Sequence, residues 1–254
     1  MWLLRFASFK KIKEFFSKNR SSIDLHYPTQ NLRTPLTTVI DRDDPRILSV
    51  LLERNSTSLD ETTTQPYGRT ALMYASYVSR EPKMLEVLLE NGADIGKRDT
   101  RGWTCLQYAV VGERLKNVIV LLDSGTSVNQ QDFQGRTPLM ISVYLSNLDI
   151  LLFLLDRGAE IEVRDNAGLT TLQVAILSRK RDASCILIER GADTSVVTPT
   201  TKASIGQLCR TSMPGVLRSI EPQPRTTNTR ITTDPAETKF IAVQFNLEEK
   251  ISRR

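Results

Sequence analysis

Apolar residues fall along this chain in two rhythms. Over Val118, Leu121 and Leu122 they recur at i, i+3 and i+4, and Ile150 to Leu155 is a dense apolar run, both suited to helices that bury one face. At the start, Leu4, Phe9, Ile12 and Phe16 are interleaved with Lys10, Lys11, Lys13 and Lys18, which predicts a basic amphipathic helix of about five turns over Met1–Asn19. Near the other end the rhythm changes to two: Ile241, Val243, Phe245 and Leu247 alternate with Phe240, Ala242, Gln244 and Asn246. Residues 240–247 therefore read as a short strand suited to pairing with a partner's sheet edge. Before it, residues 222–239 are rich in Thr, Pro and charge and predict a flexible linker. The polar, Thr-rich stretch 56–66 predicts a mobile loop.

The helical pattern repeats. Gly68-Arg69-Thr70-Ala71-Leu72, Gly102-Trp103-Thr104-Cys105-Leu106, Gly135-Arg136-Thr137-Pro138-Leu139 and Gly168-Leu169-Thr170-Thr171-Leu172 place threonines at 70, 104, 137 and 170, a spacing of 33 or 34 residues. An earlier member is Arg33-Thr34-Pro35-Leu36. Each unit runs through an apolar stretch and closes on a Gly-Ala-acid motif, clearest at Gly92-Ala93-Asp94, Gly158-Ala159-Glu160 and Gly191-Ala192-Asp193.

On these residues the chain resembles the ankyrin-repeat family over about Asn31 to Ile220. That resemblance implies an all-α solenoid of helix-turn-helix units with β-turn tips, five clear repeats and a degenerate C-terminal cap. The boundaries fall at about 31–64, 65–98, 99–131, 132–164 and 165–197, with the degenerate unit at 198–221, where Ile205, Leu208, Val216 and Ile220 take the apolar positions. Residues 1–30 are the N-terminal helix and a linker, and 222–254 the tail.

Elementary chemistry explains the motif. Threonine caps orphan N–H groups at a helix start, and proline, as at Pro35 and Pro138, has a φ already suited to the first helical position. Glycine, as at Gly125, supplies a left-handed stop. A single helical hairpin cannot bury its apolar stripe on both sides, so neighbours must stack. The family usually places histidine after the turn, tying it to the next unit. Here those positions are Thr37, Met73, Gln107, Met140 and Gln173, which implies loss of that bond in every unit, a less regular solenoid and modest stability.

Charge narrows the partners. The first twenty residues hold Arg5, Lys10, Lys11, Lys13, Lys18 and Arg20 against Glu14 alone, which accounts for the whole net charge of +5. The remainder is about neutral and offers no basic face for a phosphate backbone, so nucleic acid is a poor partner. No apolar run approaches the roughly 20 residues needed to span a bilayer. Cys105, Cys185 and Cys209 lack the spacing of a disulfide framework or zinc site, which points to a reducing compartment and a cytoplasmic setting, with the nucleus or a membrane periphery as variants.

Candidate chemistry is sparse. His26 is the one histidine and has no cysteine or acidic pair beside it, so neither a metal set nor a general base is indicated. Gly92 to Lys97 echoes a phosphate loop but is one residue short and follows a helix instead of opening one. Cys105 and Cys185 fall on inward repeat positions and read as small buried residues. Asn19 and Asn55 head glycosylation patterns without a secretory signal. The expectation is a monomeric, non-catalytic protein with no cofactor and no metal.

What the resemblance implies about binding is a concave groove lined by turn tips and the exposed side of each first helix. Carried over unit by unit, its residues are Tyr67, Arg69 and Tyr77; Arg101, Trp103 and Val111; Gln134, Arg136 and Tyr144; Leu169 and Leu177. Tyr, Trp and Arg are the types that dominate binding hot spots, and Trp103 stands out. Arg69, Arg101 and Arg136 would favour an acidic partner segment, unless Asp99 and Asp132 already balance them. The N-terminal helix has three readings: a cap packed on the first repeat, an anchor on an anionic membrane, or a targeting segment. The expected function is a protein-protein interaction scaffold or adaptor. The alternative is a membrane-associated or organelle-targeted regulator that uses residues 1–20 for location and the repeats for recruitment.

Overall fold

The structure is a computed structural model that describes residues 4–5, 7–18, 34–53, 59–62, 67–195 and 204–205. Within these there are eleven α-helices of seven residues or more and no strand, only isolated bridge residues, Arg164 paired with Thr170 among them. The helices form two compact units, Met1–Ser127 and Val128–Arg254.

In the first unit α1 is Phe9–Lys18, followed by three helical hairpins: α2 (Pro35–Asp41) with α3 (Pro45–Leu52), α4 (Ala71–Val78) with α5 (Lys83–Glu90), and α6 (Cys105–Val111) with α7 (Leu115–Asp123). The first helices α2, α4 and α6 stack in one layer and the second helices α3, α5 and α7 in another. The second unit repeats the plan with α8 (Pro138–Leu145), α9 (Leu148–Asp156), α10 (Thr171–Leu177) and α11 (Arg181–Glu189). There α8 stacks on α10 and α9 on α11.

The first helices have no polar face. Residues 35–40, 71–76, 105–111, 138–143 and 171–177 are buried without interruption, and each such helix packs on its hairpin partner and on a neighbouring first helix of its own unit. The second helices keep an exposed side and bury a stripe, such as Met84, Leu85, Val87 and Leu88 in α5.

Starts and stops follow the expected chemistry. The hydroxyls of Thr34, Thr70, Thr137 and Thr170 accept from the backbone N–H three residues on, at 3.1, 3.4, 3.2 and 3.4 Å. Gly125, at φ +91°, lets its own N–H and that of Thr126 reach back to Leu122 and Leu121, closing α7.

Where the family histidine is missing, three units make a bond of another kind, within the turn and its own helix and not to the next unit. Gln107 Oε1 accepts from the Thr104 N–H at 2.8 Å, Gln173 Oε1 from Thr170 at 2.9 Å, and Thr37 Oγ1 from Thr34 at 2.9 Å. These are capping boxes, in which a short polar side chain satisfies the N-cap donor. Met73 and Met140 have no atom able to do so as well.

The N-terminal segment is helical on both sides of an interruption at Ala7 and Ser8. Leu4 and Arg5 are helical, the chain bends at Ala7, and α1 starts anew after Ser8, whose carbonyl accepts from Ile12 N at 3.1 Å. Serine favours such a start because it competes with helix interior bonds. Leu4, Ala7 and Ile12 are buried, α1 packs on α3, and Arg42 Nη1 donates to the Leu4 carbonyl at 3.1 Å. Of the three readings of this segment, the cap on the first repeat is the one its packing matches.

In the stretch 56–66 the structure describes residues 59–62, where Leu59 is buried and Asp60 Oδ1 accepts from Asp94 N at 2.8 Å. His26, Asn19, Asn55, Cys209, the linker 222–239 and the strand-like segment 240–247 lie outside the described residues. So does the degenerate sixth unit except for Ser204 and Ile205, the latter buried.

Candidate functional site

The turn tips are built on an aspartate that recurs with the repeat. Asp99 Oδ1 accepts from the N–H of Arg101 and of Trp103, both at 2.8 Å. Asp132 Oδ1 does the same for Gln134 and Arg136, and Asp165 Oδ1 for Ala167 and Leu169, all at 2.9 Å. Each aspartate N–H in turn donates to the carbonyl four residues on, at Trp103, Arg136 and Leu169. Each tip is thus a closed hairpin whose donors are satisfied locally. These aspartates were missed as a set in the sequence, although 99, 132 and 165 keep the 33-residue period.

In the first unit the tip residues converge. The Arg101 guanidinium lies 4.0 Å from the Tyr67 ring centroid and 4.3 Å from that of Trp103. It donates to Tyr108 Oη at 2.8 Å and to Asp99 Oδ2 at 3.2 Å, and Tyr108 Oη donates to the same Asp99 oxygen at 2.8 Å. Trp103 and Tyr108 meet edge to face at 5.4 Å. Arg69 lies within 6 Å of the rings of Tyr67, Tyr74 and Tyr108, and Tyr74 donates to Asp41.

Burial works against the Arg101 charge, but Tyr108 and Asp99 outweigh it and hold the guanidinium above its ordinary pKa. Burial, with Asp99 alongside, pushes the Tyr108 phenol well above its usual range. Tyr108, Tyr74 and Asp41 belong to this cluster but lie off the repeat-variable positions, so unit-by-unit transfer did not reach them.

The second unit is arranged differently. Arg136 is folded back on Asp132, with Nε at 2.7 Å and Nη2 at 2.5 Å from Oδ2, in a pair whose side chains are 4% and 0% exposed. Tyr144 is half-buried, with Lys180 Nζ 5.8 Å from its ring centroid. Lys180 also donates to Ser146 Oγ at 2.8 Å, and burial lowers its pKa. Gln134 is exposed, and beside it Phe133 is 64% exposed. The Phe133 carbonyl accepts from Asn166 Nδ2 at 2.9 Å, which ties one tip to the next.

Of the residues expected to line a groove, Tyr67, Tyr77, Arg101 and Tyr144 are half-buried and Gln134 is exposed. Arg69, Trp103, Val111, Arg136, Leu169 and Leu177 are buried, Trp103 to 3% exposure. Their positions in the repeat place the Cα at a tip or on a first helix, but Arg69 and Trp103 turn onto neighbouring aromatics and Arg136 onto Asp132. The arginines of successive turns do not present free charge either: Arg101 and Arg136 are paired with Asp99 and Asp132, the balance that weakens the case for an acidic partner.

For chemistry the site offers little. Among the described residues no group of three or more His, Cys, Asp or Glu is placed to hold a metal ion. Cys105 is buried and its thiol is pushed up to about 12, first by burial, so it does not ionise near neutrality. Cys185 is half-buried, not enclosed as expected. Gly92 to Lys97 is a repeat turn in which Gly96 N donates to Asp94 Oδ1 at 2.8 Å. Among the described residues no helix is long and apolar enough to cross a membrane.

Comparison with known proteins agrees with this architecture. The family model described as ankyrin repeats (3 copies) matches residues 3–99, 79–165 and 129–198. The chain is similar to the ankyrin repeat domain-containing protein SAT10 of Stachybotrys chartarum, with 36% identity over 89 residues. Those residues are 35% of this chain and 4% of SAT10, so the chain spans a small fraction of that relative. Among solved structures it resembles the ankyrin repeat domain of Bcl-3, a member of the IkappaB protein family, with a TM-score of 0.68 and 25% identity. The match covers 83% of this chain and 90% of that one. With a helical repeat of this period and a family model matched over more than half its length, the chain belongs to the ankyrin-repeat family.

Proposed function

We propose that this chain is a non-catalytic scaffold or adaptor that holds a partner protein against its turn tips and first helices. Ankyrin repeats are protein-protein interaction modules in general, and the finer assignment rests on what these tips present. The observation that carries it is Phe133, a large apolar ring 64% exposed on a hairpin whose backbone is fixed by Asp132 and Asn166. A rigidly mounted aromatic loses little entropy when a partner covers it, which is what makes such residues hot spots. Tyr67 and Arg101, held in place by stacking, provide a comparable element in the first unit. The free thiols Cys105 and Cys185 suit a reducing compartment.

Site-specific photo-crosslinking in cells tests this reading. A crosslinker at position 133 or 144 is expected to capture the same partner, while one at Lys116, exposed on a second helix, captures none. Phe133→Ala is then expected to weaken that partner by roughly tenfold or more, the range of a hot-spot truncation. Capture only from position 116, or undiminished binding by the variant, would move the interface elsewhere.

A further inference from the structure

We infer that the outer face of α1 docks on an anionic lipid surface. The inference goes beyond the partner-binding reading, because it uses a different face and stands or falls without Phe133. In an isolated amphipathic helix the apolar stripe would insert into the bilayer, but here that stripe is occupied: Leu4, Ala7 and Ile12 are buried and α1 packs on α3. What remains outside is Arg5, Lys10, Lys11, Lys13 and Lys18, all exposed, with Glu14 the one acid on the helix. Phe15 is 41% exposed among them. Lys11, Phe15 and Lys18 stand at i, i+4 and i+7 and so form one stripe, an aromatic ring between two ammonium groups.

The geometry favours a membrane over an acidic peptide. The outer face of a helix is convex and has no walls to hold an extended segment. A lipid surface meets several lysines at once and gives Phe15 an apolar phase one turn from each charge. The rest of the chain is about neutral, since the six cations of the first twenty residues, less Glu14, account for the net charge of +5. Polybasic segments gain roughly fivefold in partition for each lysine brought to an anionic surface, so reversible binding sensitive to salt is expected, not insertion.

The test is co-sedimentation of the full chain with phosphatidylcholine vesicles, with and without phosphatidylserine. Binding is expected only with phosphatidylserine and to fall at high salt. Lys11→Glu with Lys18→Glu is expected to lose at least about 25-fold. Phe15→Ser should lose several-fold with every lysine intact. Reversal of Lys83 and Lys116, exposed lysines bonded to Glu86 and Glu81, should leave binding unchanged. All these positions are exposed, and unchanged circular dichroism keeps a loss of binding separate from a loss of fold. Equal binding to both vesicles, equal loss on reversing Lys83 and Lys116, or retention on a soluble acidic polymer without vesicle binding would each overturn the assignment.

Discussion

Asp99 and Asp132 use one carboxylate oxygen to fix their own turn and the other to take up an arginine, and this division explains why the tip arginines are not available as free charges. Breaking the buried Arg136–Asp132 pair strands a charge at a cost of about 3–5 kcal/mol, so this arginine holds its tip together before it can recruit anything. The same enclosure gives the protein a pH dependence at the alkaline end. Cys105 has its thiol raised to about 12 by burial, against an ordinary value of 9.0. Between these values the unfolded chain has lost the proton while the folded chain keeps it. The native state then binds more protons, and stability falls as pH rises, by up to about 1.4 kcal/mol per pH unit for one group. Below pH 9 the thiol is protonated in both states and contributes no slope. Cys105→Ala is therefore expected to have a shallower loss of stability above pH 9, measured by urea unfolding under reducing conditions. Parallel curves for the two proteins would show that Cys105 is not the group responsible.

Element boundaries divide into those the sequence announces and those it conceals. Threonines at 70, 104, 137 and 170 mark the first-helix starts, and glycine marks the second-helix ends, because each does its work through a residue-specific backbone or hydroxyl property. Four of the five first helices also end in left-handed residues, but these are Asp43, Glu113, Ser146 and Arg179 at φ +54 to +61°, none of them the glycine that announces such a turn, and α4 ends at Ser79 in extended backbone. The Arg179 and Lys180 N–H groups reach back to Ile176 and Ala175, the same closing bonds that Gly125 makes possible in α7. A left-handed conformation costs a non-glycine residue about 1–2 kcal/mol, and glycine's extra unfolded-state freedom offsets about 0.5–1 kcal/mol of any relief. Arg179→Gly is thus expected to stabilise by roughly 0.5–1 kcal/mol, read as a rise in urea midpoint. A fall would mean that the Arg179 side chain contributes more than its backbone costs. The candidate surface was less legible than the fold for a related reason. Repeat alignment locates a Cα, whereas the inward turn of Trp103 and Arg136 depends on Tyr108 and on aspartates whose role appears only when the tips are closed.

At the scale of the whole chain, stability in a repeat protein is a sum of terms within repeats and between nearest neighbours, so damage in one repeat need not spread evenly. Gly112 provides a local wedge with which to test this. A Cβ there would lie 2.5 Å from the Tyr77 carbonyl oxygen, a backbone atom that cannot swing aside, while the glycine's own φ of −69° adds no strain. Gly112→Ala must therefore push the α6–α7 turn away from the end of α4. Overpacking of this kind costs about 1–3 kcal/mol, enough to speed exchange of protected amides by about 5- to 150-fold if they open locally. Hydrogen exchange is expected to accelerate over α4, α6 and α7 and much less over α8–α11, which lie in the second compact unit. Equal acceleration along both units would mean that the chain opens only as a whole, and that the sum of local terms is the wrong description of its stability. Localised acceleration would also make Gly112→Ala a tool for function. It would loosen the Tyr67–Arg101–Trp103 tip while leaving Phe133 and Tyr144 mounted as before, and so separate what each unit contributes to a partner.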